Sequence, residues 1–236
     1  MQTVVIIPTY NERENIEALL AQVFAQQENI HVLVVDDNSP DRTYALVDEL
    51  QVNRYPGRLH LLIRSCKMGL GTAYVEGFRW ALAHGYDYIV QMDADFSHNP
   101  VYIKDFMREI RGSDLVLGCR YMPGGDVKDW GFIRKLISNG GNIYARAILG
   151  VKFHDLTGGF KCFRREVLEA INLDEIHTKG YGFQIEMTHR AFCKGFTVAE
   201  IPITFEDRTH GKSKMSHGII LEAMLIVWRL RRQVRE

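Results

Sequence analysis

The sequence predicts one α/β domain in which a mainly parallel sheet lies between two layers of helices. The first observation is that short, nearly continuous aliphatic runs alternate with stretches of helical periodicity, a pattern typical of parallel strands buried on both faces. The second is size and composition, since 236 residues with 46% hydrophobic and 25% charged residues are enough for one large core. The third is that no linker rich in glycine, serine or proline divides the chain. We therefore expect a single three-layer α/β/α fold.

The predicted elements of the first half follow one another in strict alternation. The first strand is Val4–Ile7, and apolar residues at helical spacing follow it, namely Ile16, Leu19, Leu20, Val23 and Phe24. The next four strands are predicted at Val32–Val35, Leu59–Ile63, Tyr88–Gln91 and Leu115–Gly118, with helices near residues 41–53, 70–84 and 99–111. This β–α–β order is typical of a doubly wound parallel sheet.

The alternation loosens after about residue 120. We predict one or two amphipathic helices over 130–150, a short strand over 158–163, a helix over 181–194, a strand over 197–205 and a last helix over 217–233. This division gives a domain over residues 1–216 and a basic, amphipathic C-terminal helix over residues 217–236.

Charge, cysteines and hydropathy exclude several classes of protein. The chain has 29 basic and 29 acidic residues, and this zero net charge argues against nucleic acid as a partner. Its four cysteines include no Cys-x-x-Cys pair, so we expect reduced thiols and a cytoplasmic location. The longest apolar stretch, Gly218–Trp228, is interrupted by Glu222 and is shorter than the ~20 residues that cross a bilayer. We expect no secretory signal and no membrane span.

Acidic side chains come directly after three of the predicted strands. Glu12 follows the first strand, Asp37 the second, and Asp93 and Asp95 the fourth. Ligands of open α/β sheets bind at the carboxyl ends of the strands, and carboxylates suit Mg²⁺ or Mn²⁺, which often binds together with phosphates. A lone Asp-x-Asp is more often a simple turn, but the presence of Glu12 and Asp37 at the ends of other strands favours a metal–diphosphate site.

Two further segments carry candidate phosphate ligands. Arg120 follows the fifth strand, and the basic loop Arg208–Lys214 follows the last one, where cations, a glycine and hydroxyls are typical of a phosphate clamp. Gly69-Leu70-Gly71 is misplaced for a dinucleotide fingerprint, because it follows the third strand. We interpret it as a tight loop that lets a helix begin close to bound substrate.

Seven sequence blocks carry a resemblance to a known family. In order they are VVIIPTYNERENI, VVDDNSPD, KMGLGTAY, QMDADFSHNP, GCRY, LTGGFKCFRREVL and RTHGKSK. Together they resemble family 2 glycosyltransferases and, within these, the polyprenyl-phosphate (dolichol-phosphate) mannose synthases, from about residue 3 to residue 216. The resemblance implies the nucleotide-sugar-binding fold called GT-A. It also implies inverting transfer of mannose from GDP-mannose to a polyprenyl phosphate.

The resemblance also implies roles for matching residues. The residues implied in holding the guanosine are Pro8, Tyr10, Glu12, Val35 and Asp37. Asp93 and Asp95 are implied at the divalent metal, with Ala94 beside the nucleotide. Ser97 stands where some relatives offer a glutamine to the metal, and it is a candidate metal ligand. Arg120 is implied at a phosphate, and Arg208 and Lys214 in closing over the diphosphate.

The acceptor chemistry predicts a mechanism without a general base. A sugar hydroxyl must lose a proton to attack, but a phosphate monoester has a second pKa of about 6 and is already mostly dianionic at pH 7. We therefore expect positioning and charge stabilisation by Asp93, Asp95, Arg120, Arg208 and Lys214. The segment Asp155–Phe160 is expected to form a loop near the acceptor.

Two segments are candidates for contact with a membrane. Residues 217–236 combine a wide apolar face, Trp228 and a basic terminus, which is typical of an interfacial helix. Trp130–Leu149 has a similar character. The alternatives are that both helices pack on the sheet, or that they bind small integral-membrane partner subunits.

Three alternative functions remain open from the residues alone. The first is transfer of glucose or another hexose, or transfer to a different acceptor. The second is a sugar-nucleotide pyrophosphorylase, although PTYNE stands where a glycine-rich basic loop would be expected. The third is a non-catalytic nucleotide-sugar-binding subunit, against which Asp93, Asp95, Arg208 and Lys214 argue.

Overall fold

A seven-stranded sheet forms the centre of the computed structural model, which describes residues 1–176, 178, 180–206 and 225–232. The strands are β1 (Thr3–Thr9), β2 (Ile30–Asp36), β3 (Leu59–Ile63), β4 (Tyr88–Gln91), β5 (Leu115–Cys119), β6 (Asp126–Val127), β7 (Lys161–Arg164), β8 (Val198–Pro202) and β9 (Thr204–Phe205). The helices are α1 (Arg13–Phe24), α2 (Thr43–Asn53), α3 (Leu70–Ala83), α4 (Ile103–Glu109), α5 (Phe132–Leu149), α6 (Arg165–Ala170) and α7 (Gly180–Cys193). Residues 225–232 are also helical.

The strand order in the large sheet is β3-β2-β1-β4-β7-β5-β8. β1 pairs in parallel with β2 and β4, β2 with β3, and β5 with β8, whereas β7 is antiparallel to both of its neighbours. The order confirms the predicted mainly parallel sheet. It also places the carboxyl ends of β2, β1 and β4 side by side.

The sheet is buried on both faces, which explains the continuous aliphatic runs. In β1, Val5 and Ile7 pack into one core with α1, while Val4 and Ile6 pack into a second core with α3. Each of these four side chains is fully buried. Because both faces of a parallel sheet are covered by helices, alternation of polar and apolar residues is absent.

The second half differs in detail from the sequence prediction. The strand predicted over 158–163 begins only at Lys161 and runs antiparallel between β4 and β5. The strand predicted over 197–205 is divided into β8 and β9, and β9 pairs with β6 in a separate two-stranded sheet. Pro202 ends β8, since a proline has no N–H with which to continue a ladder.

The helix at residues 225–232 packs against α5. Ile226, Val227 and Leu230 are buried in a small core with Ala145, and Trp228 Nε1 donates to Tyr144 Oη over 2.9 Å. Within the described ranges, no helix is both long enough and apolar enough to span a membrane. The other residues of the predicted 217–233 helix lie outside the described residues.

Candidate active site

The loops after β1, β2 and β4 meet at one edge of the sheet. They bring together the segments that carry Glu12, Asp37, Asp93 and Asp95, as the strand order requires. Asp36 is fully buried and accepts hydrogen bonds from Thr9 Oγ1 (2.7 Å) and from Ser39 N and Oγ (2.8 and 2.7 Å). Asp36 therefore braces the loops after β1 and β2, and Asp37 is the residue of this pair that the sequence predicts at the ligand.

Asp37 forms an ion pair that sequence reasoning missed. Its Oδ1 lies 2.9 Å from Arg64 Nη1, and the Arg64 side chain is only 1% exposed. Arg64 Nη2 also donates to Thr72 Oγ1 over 2.7 Å, which ties the pair to α3. Burial raises the pKa of the Asp37 carboxyl, and the nearby Arg64 opposes that rise. The position of Arg64 in the sequence could have identified it, because it is the first residue after β3 and so lies at the same edge of the sheet.

The aromatic ring at the end of β1 also has a cationic neighbour. Lys67 Nζ lies 3.8 Å from the centroid of the Tyr10 ring. Such a contact holds the ring in place. Tyr10 and Glu12 are half-buried, whereas the Val35 side chain is fully buried and contributes to the core rather than to this edge.

The Asp-x-Asp segment is held by four surrounding groups. Tyr74 Oη donates to Asp93 Oδ1 over 2.9 Å, and the Asp93 N–H donates to His98 Nδ1 over 3.0 Å. Ser97 donates to Asp95 Oδ1 from both its N–H (3.1 Å) and its hydroxyl (2.5 Å). Phe96 between them has a φ of 63°, a backbone conformation that is uncommon outside glycine and is found at functional loops.

This arrangement can hold a divalent cation through carboxylate oxygens. Asp93 keeps Oδ2 without a hydrogen bond in the part of the chain that the structure describes, while Ser97 orients the carboxylate of Asp95. Hard oxygen donors of this kind suit Mg²⁺ or Mn²⁺, and such ions take only one or two carboxylates when phosphates complete the coordination. Among the described residues, no group of three or more histidine, cysteine or acidic side chains forms a complete metal site. The residues fit a metal that a diphosphate helps to bind.

Arg120 is buried in a bidentate ion pair with Asp155. Its Nε donates to Asp155 Oδ2 over 2.6 Å and its Nη2 to Asp155 Oδ1 over 2.8 Å, and Nη2 also contacts Thr157 Oγ1. Burial alone would raise the pKa of Asp155, but Arg120 outweighs this effect and holds that pKa below its usual range. Arg120 thus fixes the 155–157 loop and keeps a buried positive charge near the predicted acceptor side.

Arg120 and a second arginine, Arg134, both lie beside the Trp130 ring. Arg134 at the start of α5 is 4.0 Å from the centroid of the Trp130 ring, and Arg120 is 5.6 Å from it. Asn142 on α5 accepts from the backbone N–H groups of Leu156 and Thr157. These contacts connect α5 to the loop that was expected near the acceptor, and they place two cations at one end of that helix.

The remaining predicted site residues lie at the start of α3, at the edge of the sheet and in the basic segment after β9. A β-carbon on Gly71 would lie 2.6 Å from the carbonyl oxygen of Thr178, so that glycine permits close packing of α3 against the chain itself. Pro8 is half-buried and Ala94 buried at the predicted edge. Arg208 and Lys214, predicted at the diphosphate, lie outside the described residues.

Comparisons with known proteins agree with this geometry. Residues 4–171 match the model of the family described as Glycosyl transferase family 2. The chain is 48% identical over 233 residues to a polyprenol monophosphomannose synthase of Mycolicibacterium smegmatis, covering 98% of this chain and 88% of that protein. It is 44% identical over 229 residues to an undecaprenyl-phosphate mannosyltransferase of Micrococcus luteus, covering 97% of this chain and 93% of that protein.

The fold is also found among solved structures. Glucosyl-3-phosphoglycerate synthase of Mycobacterium tuberculosis, in complex with Mn²⁺, UDP-glucose and phosphoglyceric acid, superposes with a TM-score of 0.70 at 16% identity. The alignment covers 98% of this chain and 80% of that one. At this identity the likeness shows the shared fold. The sequence matches go further, and this chain is a glycosyltransferase that belongs to glycosyltransferase family 2.

Proposed function

We propose that this enzyme transfers mannose from GDP-mannose to a polyprenyl phosphate and inverts the anomeric centre. The observation that carries the proposal is the near full-length similarity to two bacterial proteins named for mannosyl transfer to polyprenyl phosphates. Two groups of charged residues also support it, the acidic residues at the edge of the sheet and the arginines Arg120 and Arg134 near α5. A donor that binds through a metal needs negative side chains, whereas an anionic acceptor needs positive ones close by.

In this proposal the donor lies across the carboxyl ends of β2, β1 and β4. The residues that would hold the guanosine are Pro8, Tyr10, Glu12 and Asp37, whereas Val35 belongs to the core. Asp93 and Asp95 would bind Mg²⁺ or Mn²⁺, Ser97 would orient Asp95, and Ala94 would lie beside the nucleotide. Arg208 and Lys214 would close over the diphosphate. The metal, when bound, offsets the negative charge that develops on the leaving diphosphate.

The transfer itself needs no proton acceptor. An oxygen of the acceptor phosphate forms a bond to the anomeric carbon while the bond from that carbon to the diphosphate oxygen breaks. The electron pair leaves with GDP. Because the attacking phosphate is already mostly dianionic at pH 7, no proton has to be removed. Arg120 and Arg134 would hold the acceptor phosphate in line, which is catalysis by positioning and charge stabilisation.

The lipid acceptor calls for an apolar surface close to these arginines. We define the helical apolar surface as five exposed side chains on α5 and on the helix at 225–232, namely Leu136, Ile137, Ile143, Leu225 and Trp228. Arg229 and Arg232 are exposed beside it. Apolar residues flanked by cations match an anionic membrane surface. We propose peripheral binding there, on the cytoplasmic face, with residues 1–216 as the catalytic domain and 217–236 as the docking segment.

The test of the proposal is transfer of labelled sugar to a short polyprenyl phosphate in detergent, with GDP-mannose and UDP-glucose compared with and without Mg²⁺. We expect metal-dependent product from GDP-mannose. Asp95→Asn should lower turnover by at least about a hundredfold, since a metal ligand is lost. Asp105→Asn, on the exposed side of α4, serves as the matched control and should retain activity. Product from UDP-glucose alone would correct the sugar and nucleotide, and full activity of folded Asp95→Asn would refute the metal role.

A further inference from the structure

Gln184 on α7 has a side-chain amide that the fold itself does not use. The residue is 3% exposed, and neither Nε2 nor Oε1 has a hydrogen-bond partner among the described residues. Buried amides are nearly always hydrogen-bonded, because a desolvated donor or acceptor without a partner costs stability. An unpaired amide at such a position therefore indicates a ligand.

The backbone of Gln184 is firmly held, which fixes the origin of its side chain. The carbonyl oxygen of Gln184 accepts from Lys161 Nζ over 2.6 Å and from Thr188 Oγ1 over 3.1 Å. Lys161 belongs to β7, an interior strand of the sheet, and is fully buried. The amide therefore extends from a helix that is tied to an interior strand at this very residue.

Gly159 reveals what the amide faces. A β-carbon on Gly159 would lie 3.5 Å from Gln184 Nε2, 3.5 Å from Asp93 Oδ2 and 3.2 Å from His98 Cε1. The amide nitrogen and the carboxylate oxygen thus border one small space, which the glycine leaves open. Tyr74 occupies Asp93 Oδ1, so Oδ2 is the oxygen that faces this space. Asp93 and Gly159 are both half-buried, so the space is bordered by residues that solvent can reach.

The chemistry of this space fits a sugar hydroxyl. A hydroxyl group both donates and accepts, and it can donate to Asp93 Oδ2 while it accepts from Gln184 Nε2. An ionised phosphate has no hydrogen to donate to Asp93 Oδ2, and a lipid chain would leave the amide unpaired. A hexose attached to a diphosphate at the Asp-x-Asp segment satisfies both groups.

We propose that Gln184 recognises a hydroxyl group of the hexose that is transferred, opposite Asp93, with Gly159 leaving room for that hydroxyl. This inference rests on the proposed function and deepens it, because it assigns the sugar end of the donor to α7. Gln184 is a specificity-determining residue in this proposal and contacts only the sugar. Asp93 Oδ2 has two lone pairs, so it can accept from the sugar hydroxyl with one and bind the metal with the other.

The test compares binding of the nucleotide sugar with binding of the bare nucleoside diphosphate, by calorimetry in the presence of Mg²⁺. Gln184→Met keeps the length of the side chain and removes its hydrogen bonds. We expect the affinity for GDP to stay within about twofold and the affinity for GDP-mannose to fall by about tenfold, the value of one hydrogen bond to a ligand. Gly159→Ala should show the same pattern, because its β-carbon fills the space.

A series of deoxy sugars identifies the hydroxyl. With the deoxymannose donor that lacks the contacted group, wild type and Gln184→Met should bind equally well. Gln22→Met is the matched control, since it makes the same side-chain change at an exposed position on α1. It should preserve the ratio of the two affinities.

Two results would overturn the inference. Equal losses for GDP and GDP-mannose in Gln184→Met would indicate a purely structural role, and no loss for either would show that the amide does not contact the sugar. If the wild type uses a different nucleotide sugar, the same comparison is made with that donor and its diphosphate. Failure of the GDP-mannose assignment is thereby separated from failure of the Gln184 assignment.

Discussion

At the scale of single residues, the sequence did not predict which buried charged side chains of the site pair with each other. Arg120 was expected at a phosphate, and the structure gives it a buried carboxylate partner 35 positions away along the chain, Asp155. Arg64 was missed although it contacts Asp37. The aliphatic pattern cannot predict such pairs, because an arginine followed by polar residues reads equally well as a solvated loop.

Lys161 is a buried cation with a testable titration. Its side chain is fully buried in β7, and burial lowers its pKa from 10.5 to about 7, although Asp155 favours the charged form. The unfolded chain keeps the ordinary pKa, so between pH 7 and 10.5 it binds more protons than the folded chain. Stability therefore rises with pH across this window and is lost as the pH falls towards 7.

We expect this titration to appear in the free energy of unfolding, measured with denaturant between pH 7 and 9. The wild type should gain up to about 1.4 kcal/mol per pH unit relative to Lys161→Met, which has no proton to lose. Lys104→Met, at an exposed position, should follow the wild type. Identical pH slopes for wild type and Lys161→Met would show that the buried amine does not titrate in this range.

At the scale of elements, the first half of the chain was predictable and the second half only partly so. The strands β1 to β5 were found because continuous aliphatic runs between helices have few other interpretations. Hydrophobicity does not encode strand direction, and the antiparallel β7 therefore could not be distinguished from a parallel strand. β6 and β9 have two residues each, which is too short for any periodicity.

For α5 and the helix at residues 225–232, the sequence also did not predict which apolar side chains are buried. Both segments were expected to present wide apolar faces, but Ile226, Val227 and Leu230 are used in a small core. The part that remains is the helical apolar surface, where Leu136 is 63% and Leu225 64% exposed. Sequence periodicity cannot separate an apolar face that packs internally from one that stays exposed.

We expect the helical apolar surface to bind membranes. The double variant Leu136→Ser and Leu225→Ser should reduce co-flotation with anionic lipid vesicles by roughly tenfold or more, since each leucine transfers apolar area from water. The thermal midpoint should change little, because both side chains are exposed. Val52→Ser removes an equally exposed apolar side chain from α2, where 66% of Val52 is accessible, and should not affect flotation. Undiminished flotation of the folded double variant would contradict the assignment.

At the scale of the whole molecule, acidic side chains from three loops lie at one edge of the sheet. The loops after β2, β1 and β4 bring Asp37, Glu12, Asp93 and Asp95 to neighbouring strand ends, and Arg64 forms an ion pair with Asp37. A metal–nucleotide complex would supply positive charge between β1 and β4 and would connect loops from three strands. Ligand binding should therefore stabilise the entire domain rather than one loop.

The expected effect is a coupled rise in thermal midpoint. A nucleotide at a hundred times its dissociation constant adds about 2.7 kcal/mol, which for a domain of this size raises the midpoint by roughly 5–10 °C. GDP with Mg²⁺ should reach this shift, whereas GDP with a chelator should give a clearly smaller one, because the carboxylates and the diphosphate then repel each other. Asp93→Asn should lose the metal-dependent part and keep the metal-independent part. If GDP stabilised the wild type equally with and without Mg²⁺, the carboxylates of Asp93 and Asp95 would not be binding the diphosphate through a metal, and charge balance at this edge would have to come from protein side chains alone.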